Sequence, residues 1–442
     1  MTLSRRQVLT GLSQSLAGLI AGGIATRIST PASAAASNPA LILGNGLRVH
    51  LAPNKSGYIS AGLVLRSQHI NDPRGLAHIM EHTSFTGAAG SMTAVQIKAM
   101  REDCIQESNA TTGIGMINWS ASFLPRNSAQ VMELLATTSL DQKFDEDTVA
   151  SEARVVLQEL YLDKYEAEGR AKKLYNSALY GSSHPYARNT TDTEIATARL
   201  PASVLAAELR QYAQLLKLPA NMDLFLAGEF DPGEMTALIH RSFGQFEFAQ
   251  GPILDLPLVE ATRDYKALSA SSKEFTRPLS ENRIAWSTGV RITDSEAGAL
   301  LALGEYLNKV LFKEIREKSG DAYSPEAVFN ADSCSGVFEI KIRSSTKPDA
   351  VEHKIFKTLA SLRTDVDEKE LRRISNKFEL QRLKIAQRND EILTYMQDRV
   401  LHGCSSSDFQ VKSITAADIK TVARGFLPSY KGAYVRLAML GQ

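Results

Sequence analysis

Two histidines four residues apart, His78 and His82, with Glu81 between them in the run GLAHIMEHTSF, are the residues of this chain whose types and spacing most directly carry chemistry. A helix advances 3.6 residues per turn, so both imidazoles share one face and can reach a single cation, with Glu81 beside the same stripe. Imidazole nitrogen suits zinc, and a catalytic zinc takes three protein ligands and leaves a fourth place for water. A third ligand must therefore come from elsewhere in the chain. The run SEARVVLQELYLDKY carries Glu152 and Glu159, seven apart and on nearly the same helical stripe. One of the two can bind the metal while the other orients a ligand from behind, and spacing alone does not choose between them. With Glu81 as proton acceptor, this constellation is that of a metal-assisted hydrolase.

The elements that must position these residues are readable around them. Asp72 is placed to cap the histidine helix, Pro73 suits its first turn and Gly87 can end it after Phe85. Ahead of it, LRVHLAP follows the turn pair Asn45-Gly46, and ISAGLVLRS reads as a neighbouring strand. Further strands are expected across about 110–124 and at NMDLFLAGEF, with long helices over about 145–180 and 200–216. Periodicity is lost between 251 and 280, where Pro252, Pro257, Pro278 and several serines collect, as in a connection between domains. The second half repeats the theme: strand IAWSTGV, a helix from about Ser295 to Lys318, strand GVFEIKIRS, two long helices and a closing strand YVRLAML. The expected fold is α+β, with one unit over 41–250, a linker over 251–280 and a second unit over 281–442. The two are alike in the order of their elements rather than in sequence.

Composition narrows the function further. The chain has 442 residues, a net charge of +1, and 43% hydrophobic and 22% charged residues, so it supplies no broad electrostatic footprint for nucleic acid. Lys and Arg between 365 and 400 are interleaved with Asp and Glu at helical spacing, which is a solvated helix face. Cys104, Cys334 and Cys404 show none of the close paired spacings of zinc or redox motifs and read as incidental thiols. At the start, Arg5 and Arg6 precede an apolar stretch from about Leu12 to Ala25 and the small-residue site Ala32-Ser33-Ala34. This is the layout of a cleavable signal over 1–34, and SRRQVLT resembles a twin-arginine signal, so a periplasmic location is expected. The apolar stretch is shorter than the roughly 20 residues that span a bilayer, and no other run is apolar enough to be a membrane span.

The run HIMEH resembles the inverted zinc motif of the pitrilysin, or insulinase, family of metallopeptidases, and the resemblance extends over about 41–440. It implies Glu159 as third ligand and Glu152, seven earlier, as the residue behind the ligands. The likeness continues in Gly75-Leu76-Ala77 before the motif and in Phe85 and Gly87 after it. Asn109 and Ala110, followed by Thr112, match the segment that borders the bound peptide. Arg316 and Tyr323 in REKSGDAYS match the pair brought to substrate from the opposite lobe. Gln106, Glu107 and Ser108 stand where relatives are glycine-rich, and Asp321 replaces a usual leucine. His184-Pro185-Tyr186 also suits the family and reads as loop packing.

What the resemblance implies is a zinc endopeptidase, with one Zn2+ per chain, acting on peptides or unfolded polypeptide. Its fold would be half of a clamshell, made of two related αβ domains, each a mostly antiparallel sheet covered by helices on one face. The whole would be completed as a homodimer or as a heterodimer with a related subunit. The alternative is a non-catalytic binding or assembly subunit of the same fold.

Overall fold

Alternation of apolar and polar residues shapes the strand Met116–Phe123, where every second side chain is buried. The computed structural model describes residues 39–274, 276–318, 320, 322, 325–409 and 414–442. The signal expected over 1–34 and Tyr323 lie outside the described residues. The strands are β1 Leu41–Ile42, β2 Arg48–Pro53, β3 Ile59–Arg66, β4 Ile105–Gly113, β5 Met116–Phe123, β6 Met222–Gly228, β7 Lys266–Ser272, β8 Ser280–Ser287, β9 Glu326–Ala331, β10 Gly336–Ser344 and β11 Val435–Gly441. The helices of the first half are α1 Leu76–Thr83, α2 Ala94–Cys104, α3 Ser128–Leu140, α4 Glu146–Tyr165, α5 Ala167–Tyr180, α6 Thr191–Ala198, α7 Ala202–Leu216 and α8 Pro232–Phe243. Those of the second half are α9 Ala297–Leu311, α10 Pro348–Ser361, α11 Glu368–Ile385, α12 Asn389–His402 and α13 Ala416–Phe426.

The strands form two sheets, ordered β1-β2-β6-β3-β5-β4 and β7-β11-β8-β10-β9. From β2 and β7 onward the two orders are the same. In each, the opening strand pairs in parallel with the closing one, β2 with β6 and β7 with β11, and the remaining pairs are antiparallel. Each sheet carries its own helical layer over one large apolar core. The likeness in element order read from the sequence is thus a likeness in topology, and the α+β architecture is the one expected.

Each sheet is also covered on its second face, by a helix from the other half of the chain. Leu393 and Met396 of α12 pack on Val64, Phe225 and Ala227, which point away from the first core. Ala171, Tyr175 and Leu179 of α5 pack on Ala285, Val435, Leu437 and Met439 of the second sheet. The exchange explains why β6 and β8 are buried at every position rather than alternately. Buried Asn389, at the start of α12, ties the halves by donating from Nδ2 to Tyr58 O at 3.0 Å and Ser56 Oγ at 2.8 Å.

Several local expectations are corrected. The histidine helix starts at Leu76 behind Gly75, whose φ is +70°, and Asp72 closes a short 3-10 turn over Gln68–Asn71 instead of capping α1. The tight reversal after Pro73 makes the difference, because a left-handed residue interrupts the helical path. The strands expected across 110–124 are β4 and β5, joined at Gly115 with φ +70°, but β4 starts earlier, at Ile105. The helix over 145–180 breaks at Glu166, whose extended backbone separates α4 from α5. Within 251–280, residues 266–272 form β7, paired in parallel with β11, a long-range partner that local periodicity does not reveal. Among the described residues no helix is long and apolar enough to cross a membrane.

Candidate metal centre

α1 is only eight residues long and would not hold together alone in water, so its packing decides its place. Leu76, Ala77, Ile79, Met80 and Thr83 are buried against the first core, which leaves His78, Glu81 and His82 on the opposite stripe. The exit of α1 is pinned by Ser84, whose Oγ accepts from Trp119 Nε1 at 2.9 Å and from Gln142 Nε2 at 3.0 Å. Thr83 donates to Gln142 Oε1 at 2.9 Å. α4 packs beside α1 and buries Val149, Ala153, Val156 and Leu160 in the first core, and the same turns carry Glu152 and Glu159 toward the histidines. Asp145, which caps α4 by accepting from Thr148 N, also accepts from Ala88 N, in the loop that follows α1.

Three ligand atoms converge. Glu159 Oε2 lies 3.5 Å from His78 Nε2 and 3.4 Å from His82 Nε2, and one ligand atom from each residue lies within 4.8 Å of the others. Four ligands at about 2.1 Å around a tetrahedral ion are separated by about 3.4 Å, so these residues fit zinc. It is the one such group among the described residues. Glu159 faces both Nε2 atoms, whereas Glu152 Oε2 lies 3.5 Å from His82 Nδ1, on the far side of that ring.

Electrostatics agree with the geometry. Burial pulls the pKa of His78 down, but the nearby carboxylates of Glu159 and Glu194 and the charge of Glu81 outweigh it and hold it at about 9. Burial opposes the charge of His82 likewise, and Glu152, Glu159 and Glu81 raise it to about 10. Burial pushes Glu159 up, while the two histidines bring it down to about 2. Glu81 goes the other way: burial raises its carboxyl against the lowering influence of His78, His82 and Thr112. A site that favours a bound cation and one proton-accepting carboxyl side by side has the makings of metal-assisted hydrolysis.

β4 forms the edge of the first sheet, next to α1, and Thr112 Oγ1 donates to Ala77 O at 3.4 Å. Asn109 is exposed on this edge, and Ala110 packs against the core. Arg316 is not gathered with the ligands. It lies in a π-helical segment over Phe312–Glu317 on the second half, where Nη1 donates to Ala322 O at 3.2 Å. His184 supports a loop, as expected, with Nε2 2.9 Å from Pro257 O. Reading by spacing missed Glu194, on α6, whose Oε2 lies 3.9 Å from His78 Nδ1. No spacing signal marks it, because it stands on a third helix and reaches the site only through the packing of α6 on α4 and α1. The second unit's counterpart of α1, the helix α9 that follows β8, is buried along most of its length and carries no histidine.

The model described as Insulinase (Peptidase family M16) matches residues 58–194, and that described as Peptidase M16 inactive domain matches 203–378. An uncharacterized zinc protease of Mycobacterium leprae is 26% identical over 318 residues, which cover 67% of this chain and 67% of the relative. A protease from Helicobacter pylori of known structure superposes with a TM-score of 0.78 at 17% identity, covering 90% of this chain and 98% of the other. The periplasmic protease PqqL from Escherichia coli superposes with a TM-score of 0.70 at 16% identity, covering 100% of this chain but 51% of its own. Both superpositions speak for the fold.

Proposed function

The chain belongs to the insulinase family of peptidases, family M16, and from that membership we propose that it is a zinc-dependent endopeptidase in which His78, His82 and Glu159 hold the metal and Glu81 handles the proton. The observation that carries the reading is the approach of Glu159 Oε2 to both Nε2 atoms, at 3.4 and 3.5 Å, with Glu81 on the same helix stripe. All four residues lie within 58–194, the part matched by the peptidase model. The part matched by the model called inactive contributes no such group among the described residues.

A zinc ion held by His78, His82 and Glu159 would supply a bound water with its pKa lowered to about 7 and a Lewis acid for a peptide carbonyl. Glu81 takes the proton of the attacking water and returns it to the leaving amine, a role suited to a carboxyl that burial has raised. Glu152 holds His82 from behind, through Nδ1. The open edge of β4 around Asn109 and Ala110 receives an extended peptide as an added strand, beside the metal helix. Peptides and unfolded segments, which have free backbone groups, are the substrate class that such an edge takes.

The resemblance of Arg316 and Tyr323 to the family's pair supports a role for them at the substrate, from the opposite lobe of the clamshell. PqqL spans about twice the length of this chain, which supports reading the present chain as one half of a two-part enclosure, completed by a second copy or a related subunit. The twin-arginine-like signal read over 1–34 supports a periplasmic location for the mature protein. Purified protein tests the proposal: Glu81→Gln is expected to keep one zinc per chain and lose cleavage of a quenched peptide by at least about 100-fold. Equal turnover by the variant would refute Glu81 as the proton acceptor.

A further inference from the structure

Each imidazole of the site has two nitrogens, and the structure gives each of them an acidic neighbour. Both Nε2 atoms face Glu159. Behind His82, Nδ1 has Glu152 Oε2 at 3.5 Å; behind His78, Nδ1 has Glu194 Oε2 at 3.9 Å. The longer separation is a charge contact rather than a hydrogen bond. Glu194 is nonetheless held in place on two sides. Its Oε1 accepts from Thr190 Oγ1, one turn earlier. Its methylene chain fills the space beneath Gly75, where a Cβ would lie 2.6 Å from Glu194 Cγ and 3.2 Å from Glu194 Cβ. Gly75 is the residue from which α1 starts, and its carbonyl accepts from His78 N at 3.1 Å. The side chain of Glu194 is therefore wedged between the start of the metal helix and the back of its first histidine.

Resting on the metal centre proposed above, we propose that Glu194 is a positioning residue for His78. Its carboxylate keeps the proton on Nδ1, leaves the Nε2 lone pair for the cation, and fixes the ring's orientation, as Glu152 does for His82. Carboxylates behind metal-binding imidazoles raise ligand basicity, and their loss weakens metal binding by about 10- to 100-fold. Glu194 never touches the reacting atoms, so its signature is metal affinity and ligand field rather than the proton transfer assigned to Glu81.

The test is zinc affinity, measured by competition with a chromophoric chelator, on purified wild type, Glu194→Met, Glu194→Gln and Glu159→Gln. Glu194→Met keeps the volume beneath Gly75 and removes both oxygens; it is expected to weaken zinc about 10- to 100-fold, with Glu194→Gln falling between it and wild type. Substitution with Co2+ supplies a readout that a packing role would not move. The visible d–d bands of Glu194→Met should shift from those of wild type, and those of Glu194→Gln should lie nearer to wild type. If Glu194→Met does not fold, Glu194→Gln carries the same measurement, with an expected loss of several-fold. Wild-type affinity and spectrum in either folded variant would overturn the assignment while Glu159→Gln still loses zinc. Wild type that takes up no zinc, or Glu159→Gln that binds it undiminished, would instead bring down the metal centre, and the role of Glu194 with it.

Discussion

Replacing Gly75 by alanine probes the joint between fold and site. Gly75 has φ +70°, a conformation that costs an L side chain about 1–2 kcal/mol. Gly57 has φ +84° but nothing within 4 Å of an added Cβ, so Gly57→Ala measures that backbone strain alone. At Gly75 the new methyl would stand 2.6, 3.1 and 3.2 Å from Glu194 Cγ, Cδ and Cβ. Ordinary contact begins near 3.5 Å, so α1 or α6 must move by several tenths of an ångström. Overpacking of this kind costs about 1–3 kcal/mol in addition. The expected losses, read from urea denaturation of chelator-treated protein, are about 1–2 kcal/mol for Gly57→Ala and about 2–5 kcal/mol for Gly75→Ala. Because Gly75 O accepts from both His78 N and Ile79 N, the displacement should reach the first ligand and weaken zinc as well. In Gly75→Ala/Glu194→Ala the overpacking is relieved and only the strain should remain from position 75, giving a coupling of about 1–3 kcal/mol. A Gly75→Ala protein no less stable than Gly57→Ala would refute the claim that Glu194 is packed against the start of α1.

Other expectations concern the supports of the two halves. Asp223 is fully buried among Arg48, Arg66 and His50, with Arg48 Nε donating to it at 2.7 Å. Burial raises its carboxyl, but the bonds from His50 and Arg48 prevail and hold it at about 2. A depressed acid stabilises the fold above its unfolded value of about 3.9, so this contribution should vanish as pH falls from about 4 to 2. Asp223→Asn should lower stability at pH 7 by about 3–5 kcal/mol and flatten that acid limb in a series of denaturation curves. Ser84→Ala removes the acceptor shared by buried Trp119 Nε1 and Gln142 Nε2; a loss of about 1–3 kcal/mol is expected by urea unfolding, with weaker zinc binding as the exit of α1 loosens. Asn389→Ala should free the start of α12 from Ser56 and Tyr58, and hydrogen exchange should report faster opening of α12 than in wild type, with little change in α10.

The residues at 78, 81 and 82 stated their chemistry without a structure because a helical repeat is a local property. Any helix through GLAHIMEHTSF puts both imidazoles on one stripe, whatever surrounds it. The same holds for Glu152 and Glu159, whose seven-residue spacing predicted a shared face. Strand runs such as ISAGLVLRS were legible because β-branched and apolar residues suit a pleated, buried surface. Resemblance then named a ligand that spacing had left open. Other features depended on contacts between distant segments and had no local trace. β7 is held by β11, some 170 residues on, and in isolation its sequence KALSASS carries only weak strand character. That Glu159 meets both Nε2 atoms while Glu152 stands behind His82 is a consequence of how α4 lies across α1. Glu194 entered the site by the same route, on a helix whose sequence contains nothing to connect it with histidines more than a hundred residues earlier. The exchange of α5 and α12 between sheets likewise belongs to the tertiary structure. Periodicity along a chain states which side of an element is apolar, and only the packed chain decides which surface that side covers.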